Sequence, residues 1–349
     1  MHGSKTYWFA KLLFAVSFIG ATSLIAQAPH AFTLSGDVEG THDPSIMRQG
    51  NHWYVFATGL APGGGQIPIR CSDDLEHWKI CGHVFDTLPV WISKESPGTK
   101  ELWAPDISYA HGQFRLYYSY SLFGKNTSGI GLATNKTLDP TSPDYLWMDR
   151  GLILRSTADD DFNAIDPNYI VDVTGQAWLA FGSFWGGIKM RSLDAETGKL
   201  SMKDTKLYSL ASRARPKDAA PARSGLPADW QAVEAPFVIR HGKFYYLFVS
   251  WDLCCRGTHS TYKTMVGRAS AVTGPYIDKD GKSMAEGGGS VLLEANKRWL
   301  GPGGESAFQQ AGQQDLLVFH AYDAVSGKPS MQISTIGWKD GWPLVTIAE

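Results

Sequence analysis

The sequence predicts an all-β chain folded as a five-bladed propeller, and three observations predict it. Aromatic and β-branched runs recur between Gly, Asn and Asp turns, as in Trp53-Tyr54-Val55-Phe56, Phe114-Arg115-Leu116-Tyr117-Tyr118 and Phe244-Tyr245-Tyr246-Leu247-Phe248-Val249. No long amphipathic helical period with caps interrupts them. One unit also returns five times: an acidic residue and a proline, an apolar strand, a Gly turn, then an aromatic strand. A two-sheet sandwich is the alternative, and it seldom repeats this regularly.

The elements follow in chain order. Lys5 and Lys11 precede a largely apolar run from Leu12 to Ile25, and Ala26-Gln27-Ala28 has the small-x-small form of a cleavage site. Residues 1–28 therefore read as a secretory signal peptide, with residues 29–349 as a single propeller domain. The apolar run is short of the ~20 residues a membrane span needs. Export makes the protein secreted or periplasmic, with no membrane contact after cleavage. The repeat units start at His42, Ala104, Ile165, Val233 and, more loosely, Gly303. With Asp43, Asp106, Asp166, Glu234 and Glu305 as markers, they are spaced 63, 60, 68 and 71 residues apart, room for about four strands each.

Composition narrows the function. The 349 residues carry 32 Lys+Arg against 34 Asp+Glu, a net charge of −2, which argues against a nucleic-acid partner. Four cysteines are present. Cys71 and Cys81 flank a polar turn and are expected to bridge across a hairpin. Cys254 and Cys255 are adjacent, and the sequence leaves open whether they join. No zinc motif occurs. Asn126-Thr127-Ser128 and Asn135-Lys136-Thr137 match the glycosylation acceptor pattern.

The first strand of a blade runs along the propeller axis, so equivalent residues of different blades meet at one end of it. Asp43, Asp166 and Glu234 all adjoin a proline-bearing strand start and read as matching positions in blades one, three and four. Three carboxylates at one axial pocket would raise one another's pKa values, which costs stability and suits acid/base chemistry. Glycoside hydrolysis needs such a pair: an acid to protonate the leaving oxygen and a carboxylate opposite it.

His42-Asp43-Pro44, Trp103-Ala104-Pro105-Asp106, Asn163-Ala164-Ile165-Asp166-Pro167 and Glu234-Ala235-Pro236-Phe237 resemble the signature blocks of glycoside hydrolase family 43. Gly182-Ser183-Phe184-Trp185-Gly186-Gly187, Ser250-Trp251-Asp252-Leu253-Cys254-Cys255-Arg256-Gly257 and His320-Ala321-Tyr322-Asp323 are similar to its α-1,5-L-arabinanase branch. The resemblance implies inverting, endo-acting cleavage of arabinan, such as pectin side chains carry, by a monomer. It implies Asp43 as general base, Glu234 as general acid and Asp166 as the acid that orients Glu234 and tunes its pKa.

The resemblance further implies sugar contacts from Trp103, Phe123, Gly124, Asn163, Ala164, Ile165, Ser183, Phe184 and Trp185. Glycines 182, 186 and 187 would let their loop approach the sugar. His320, by its place at the end of an apolar strand, reads as a core residue. The resemblance instead implies that it holds one central calcium ion coordinated largely by water. One departure stands out: Gly304 occupies the place where the resembled Gly-Pro-Gly-His block has its His. Loops 60–66, 92–101 and 211–228 are candidates to block one end of the cleft, which would make the enzyme an exo-arabinanase, an α-L-arabinofuranosidase or a β-xylosidase on the same scaffold. A sugar-binding propeller without catalysis is the remaining alternative, disfavoured by the three acids together.

Overall fold

The computed structural model describes residues 1–3, 28–214 and 230–349. The signal-peptide expectation falls mostly on residues 4–27, and most of loop 211–228 on residues 215–229, outside the described residues.

Five sheets stand around one axis. Blade one comprises β2 (Ser45–Gln49), β3 (His52–Phe56), β4 (Gln66–Ser72) and β5 (His77–Phe85), with the short β1 (Ser35–Gly36) added parallel to β5. A one-and-a-half-turn helix, α1 (Val90–Glu95), lies in the crossover to blade two, which comprises β6 (Trp103–Ala110), β7 (Gln113–Tyr120), β8 (Gly129–Asn135) and β9 (Met148–Arg155). Blade three is β10 (Asn168–Val171), β11 (Ala177–Phe181), β12 (Ile188–Leu193) and β13 (Tyr208–Ala211). Blade four is β14 (Val233–His241), β15 (Phe244–Trp251), β16 (Lys263–Ala269) and β17 (Ser290–Leu293). Blade five has three strands of its own, β18 (Trp299–Phe308), β19 (Leu316–Asp323) and β20 (Pro329–Thr335), followed by a hairpin of β21 (Gly337–Lys339) and β22 (Trp342–Leu344).

The segment 30–40 completes blade five. Phe32 N–H donates to Ile333 O, Met331 N–H to Val38 O and Gly40 N–H to Pro329 O, at 2.9, 3.0 and 2.8 Å. The same segment carries β1, so one stretch of chain ties the last blade to the first.

Five apolar wedges fill the spaces between blades. Tyr54, Phe56, Leu116 and Tyr118 join blades one and two; Tyr117, Leu132, Leu179 and Phe181 join two and three. Trp178, Met190, Leu247 and Val249 join three and four, Tyr246, Phe248, Leu317 and Phe319 join four and five, and Ile46, Val55, Val318 and Ile333 close five onto one. Each second strand is therefore apolar on both faces, which is why those runs are continuous in the sequence instead of alternating. The expected Cys71–Cys81 bridge joins β4 to β5, with Cα atoms 5.9 Å apart. Cys254 and Cys255 are also bonded to each other, resolving the pairing that the sequence left open.

The first strands touch in a ring: β2 to β6, β6 to β10, β10 to β14, β14 to β18, and β18 to β2. Polar side chains stitch this ring. Ser45 Oγ accepts Ile107 N–H at 3.0 Å, Asp106 Oδ2 accepts Tyr169 N–H at 2.7 Å, and Asn168 Oδ1 accepts Val238 N–H at 2.9 Å. Asp106 is thus a stitch between blades two and three, and burial pushes its carboxyl up to about 7.

Candidate active site

Each blade enters its first strand through a strained step. Asp43, Ala104, Asp166, Ala235 and Gly304 all have positive φ (47°, 41°, 56°, 51° and 60°), and a proline follows in four of the five. Where β6, β14 and β18 include this step, the ladder breaks there: pairing jumps from Trp103 to Asp106, Glu234 to Phe237 and Gly303 to Ser306. Proline has no N–H to give, and the left-handed residue turns the chain, so the pair bulges toward the axis. Four of the five positive-φ residues are not glycine, a conformation held by its surroundings.

This step corrects the register read from the sequence. The equivalent residues are Asp43, Ala104, Asp166, Ala235 and Gly304, spaced 61, 62, 69 and 69 residues apart. Asp43 and Asp166 match; Glu234 stands one place earlier, in line with His42, Trp103, Ile165 and Gly303. Asp106 lies two places later and Glu305 one place later. The three acids still converge, but from two adjacent tiers.

A second set of bonds locks the bulges. A side chain in or just past the last residues of a blade's second strand accepts the bulge N–H of the next blade: Thr58 Oγ1 from Ala104 at 2.7 Å, Ser119 Oγ from Asp166 at 3.0 Å and Ser250 Oγ from Gly304 at 2.9 Å. His320 Nδ1 accepts from Asp43 at 3.2 Å. In blade three this place is Gly182, which has no side chain, and the Asp166 carboxylate itself accepts Ala235 N–H at 3.0 Å. Asp166 thereby anchors the peptide next to Glu234.

Asp43 Oδ2 accepts the Thr58 hydroxyl at 2.6 Å. Glu234 is gripped at both oxygens: Ser183 Oγ donates to Oε2 at 2.6 Å, and the Tyr262 hydroxyl donates to Oε1. Burial pushes the Glu234 carboxyl up to about 7, against the pull of Ser183 and with a further push from the Asp43 charge. Burial also raises Asp43, and it raises Asp166 well above the usual carboxylate range, with Glu234 and Asp43 adding to the rise. Glu305, buried at the same mouth, is pushed up to about 7 by burial. Its Oε2 accepts Ser250 Oγ at 2.9 Å, while its Oε1 has no protein partner. A small cavity of about 30 Å³ on the axis is lined by Asp43, Asp106, Asp166, Gly304 and Glu305, among others.

The remaining predicted residues divide. Trp103 opens β6 in the same tier as Glu234, half-buried beside Ala104. Phe123 projects from the β7–β8 loop, 79% exposed, with Gly124 at φ 74° completing the turn. Asn163, Ala164 and Ile165 are buried in the approach to Asp166, and the Asn163 side-chain oxygen Oδ1 has no protein partner. Ser183 reaches Glu234 directly. Phe184 and Trp185 are each only 8% exposed, packed with Trp230, Ala232 and Leu253 into a cluster under the site, so they shape its wall more than they offer a bare platform.

Glycines 182, 186 and 187 serve close backbone approach within the protein. A Cβ on them would sit 2.5 Å from Gly187 O, 2.3 Å from Asp161 O and 2.2 Å from Ala211 O. Neither glycosylation motif has its asparagine open to solvent. Asn126 and Asn135 are buried, and the Asn126 amide donates to Thr157 O and Asp160 O, so neither presents its nitrogen to solvent.

Calcium does not fit His320. The wholly buried imidazole accepts Asp43 N–H at Nδ1 at 3.2 Å and has Nε2 3.4 Å from Tyr322 Oη, so both ring nitrogens already face protein partners. The ring nitrogens and carboxylate of His42, Asp43 and His320 do come within 4.8 Å of one another, but two imidazoles and one carboxylate are not the oxygen set calcium prefers. Burial holds His320 well below its usual pKa, consistent with a neutral acceptor.

Sequence reasoning missed Tyr262 and Trp230, which no repeat marker flags, and the positive φ of Gly304. A Cβ at Gly304 would lie 2.5 Å from Asp43 Oδ1 and 2.7 Å from the His320 ring, so those groups fill the place of the expected histidine.

The signature described as Glycosyl hydrolases family 43 matches residues 38–343. The chain belongs to glycosyl hydrolases family 43. An exo-alpha-(1->5)-L-arabinofuranosidase of Cellvibrio japonicus, named as extracellular, is 46% identical over 94% of this family 43 chain and 92% of its own. An extracellular endo-alpha-(1->5)-L-arabinanase of Bacillus subtilis is 43% identical over 97% and 98%. The structure of Cellvibrio cellulosa alpha-L-arabinanase complexed with arabinohexaose superposes with a TM-score of 0.81 at 45% identity, covering 89% of this chain and 96% of that one. The protein is a glycoside hydrolase on a five-bladed propeller.

Proposed function

We propose that this enzyme is exported and hydrolyses α-1,5-linked L-arabinan, cutting within the chain and inverting the anomeric centre. The observation that carries the reading is the convergence of Asp43, Asp166 and Glu234 at one mouth of the axis, with Glu234 buried and held at both oxygens. The names of the relatives supply the substrate class and the extracellular setting.

Asp43 acts as base. Its N–H is tied to His320 and its Oδ2 to Thr58, which leaves Oδ1 to take a proton from water as the water oxygen attacks the anomeric carbon. Glu234, protonated below about pH 7, gives its proton to the departing oxygen. Inversion requires the two carboxyls about 6.5–9.5 Å apart, with the water between base and sugar. Asp166 holds the Ala235 peptide next to Glu234, and the Asp43 charge favours the protonated form of Glu234. Phe123 and Trp103 offer ring faces to furanose units, and the unpaired Asn163 Oδ1 offers an acceptor to a sugar hydroxyl.

Exo action is the second reading, favoured by the 46% identical relative. Two candidate blocking loops do meet where Gln66 donates to Lys100 O at 3.2 Å, and just beyond them Gly59 N–H donates to Leu102 O at 2.9 Å while Leu102 N–H donates to Gln66 Oε1. Linear arabinan separates the readings. A fast viscosity fall with mixed oligosaccharides means endo cleavage, and one short product means exo. If Asp43→Ala or Glu234→Ala kept near-normal turnover while folded, the assigned role would be wrong.

A further inference from the structure

Tyr262 lies at the end of the β15–β16 loop, one residue before β16, and is 4% exposed. Its hydroxyl meets Glu234 Oε1 from inside blade four, while Ser183 meets Oε2 from the blade-three loop. Space for the ring is created by Gly303, where a Cβ would stand 2.5 Å from Tyr262 Cδ2. A protonated carboxyl carries one hydrogen of its own and accepts poorly at that oxygen; an ionised one accepts at both. Two hydroxyl donors, one on each oxygen, therefore match the carboxylate that exists after the proton has left.

We infer that Tyr262 is a positioning residue for the proton donor: its hydroxyl fixes the plane of the Glu234 carboxyl and receives the charge that appears there as the glycosidic bond breaks. This deepens the proposed reading and rests on Glu234 being the acid. In the step, the Glu234 O–H bond breaks and its proton passes to the glycosidic oxygen. The anomeric C–O bond breaks with its electron pair remaining on that oxygen. The O–H pair stays on the carboxylate, between the Tyr262 and Ser183 hydroxyls. Donors placed where charge develops stabilise the transition state more than the ground state.

The test is Tyr262→Phe on the full enzyme with linear arabinan. Turnover is expected to fall about 10- to 100-fold, with KM changed less than about twofold, because one donor to developing charge is lost. The alkaline limb of the kcat profile is expected to move up by about one pH unit, since removing a donor from the anion favours the protonated acid. Asp43, Asp166 and Tyr322 also act on Glu234 or feel its charge, and they are common to both enzymes. Ser183→Ala, acting on the other oxygen, is expected to move the limb the same way, which covers the case that Tyr262→Phe folds poorly. In a Glu234→Gln background, Tyr262→Phe should add little further loss. A fall in kcat with an unmoved limb in both variants, or no fall, overturns the proposal. Full activity of Glu234→Gln would instead overturn the assignment of the acid itself.

Discussion

Glu234→Gln keeps the shape of the side chain and removes its proton chemistry, so it should separate catalysis from stability in opposite directions. The carboxyl is only 8% exposed and is pushed from 4.5 to about 7 on folding, mainly by burial. A carboxyl raised in the fold binds protons more tightly there than in the unfolded chain. It therefore costs nothing below the unfolded value, and it destabilises progressively as pH rises toward the folded one. At about 1.4 kcal/mol per unit, the ionised group costs the native state about 3 kcal/mol at pH 8 and under about 1 kcal/mol at pH 5. The Gln variant is expected to lose about 10²- to 10⁴-fold in kcat, the usual worth of a general acid. It should also be more stable than the parent at pH 8 by up to about 3 kcal/mol, with most of that gain gone at pH 5. Urea unfolding of both proteins at the two pH values reads the difference. A gain equal at both values, or a loss at pH 8, would refute the claim that a buried, protonatable carboxyl sits here.

Gly304→Ala should abolish most activity, more than about 100-fold, because its Cβ would crowd Asp43 Oδ1 in a left-handed backbone; kcat with arabinan measures it. Arg115 is fully buried and donates to Ala195 O and Glu196 O, so Arg115→Met should cost more than about 2 kcal/mol by leaving those carbonyls unpaired, read as a lower urea midpoint at unchanged kcat. Chelator treatment should leave arabinan hydrolysis within about twofold, in keeping with an imidazole at 320 already engaged; a larger fall, restored by added calcium, would contradict that role. Activity should fall above about pH 7 as Glu234 ionises, and on the acid side should fail at a higher pH than for an exposed aspartate, since burial raises Asp43; a pH–rate profile checks both limbs.

Much of the fold could be read from the text because each second strand is apolar on two faces. A run such as Phe244–Val249 has no other use than filling wedges on either side. The three acids were legible for a different reason: proline marks the bulge. The slip in register came from aligning on the acids. Aligned on Pro44, Pro105, Pro167 and Pro236, the same text places Asp43, Ala104, Asp166 and Ala235 in one tier and Glu234 a step before it. The role of His320 stayed hidden because it is shared with Thr58, Ser119 and Ser250, and nothing in their chemistry suggests equivalence until the strands are paired. Tyr262 was invisible for a related reason. Its contact with Glu234 crosses the width of a blade, and only Gly303, a residue that shows no chemistry, makes room for it.

Because the stretch from His30 to Gly40 lies along β20 on one side and touches β5 on the other, the circle of blades is latched by residues from opposite ends of the polypeptide. The latch cannot fasten until Pro329–Thr335 has been synthesised, so any nascent form lacking that stretch carries two bare sheet margins. Such margins recruit other strands. A chain cut short of that stretch is thus expected to associate through its open margins, and the same seam that closes the circle decides that outcome.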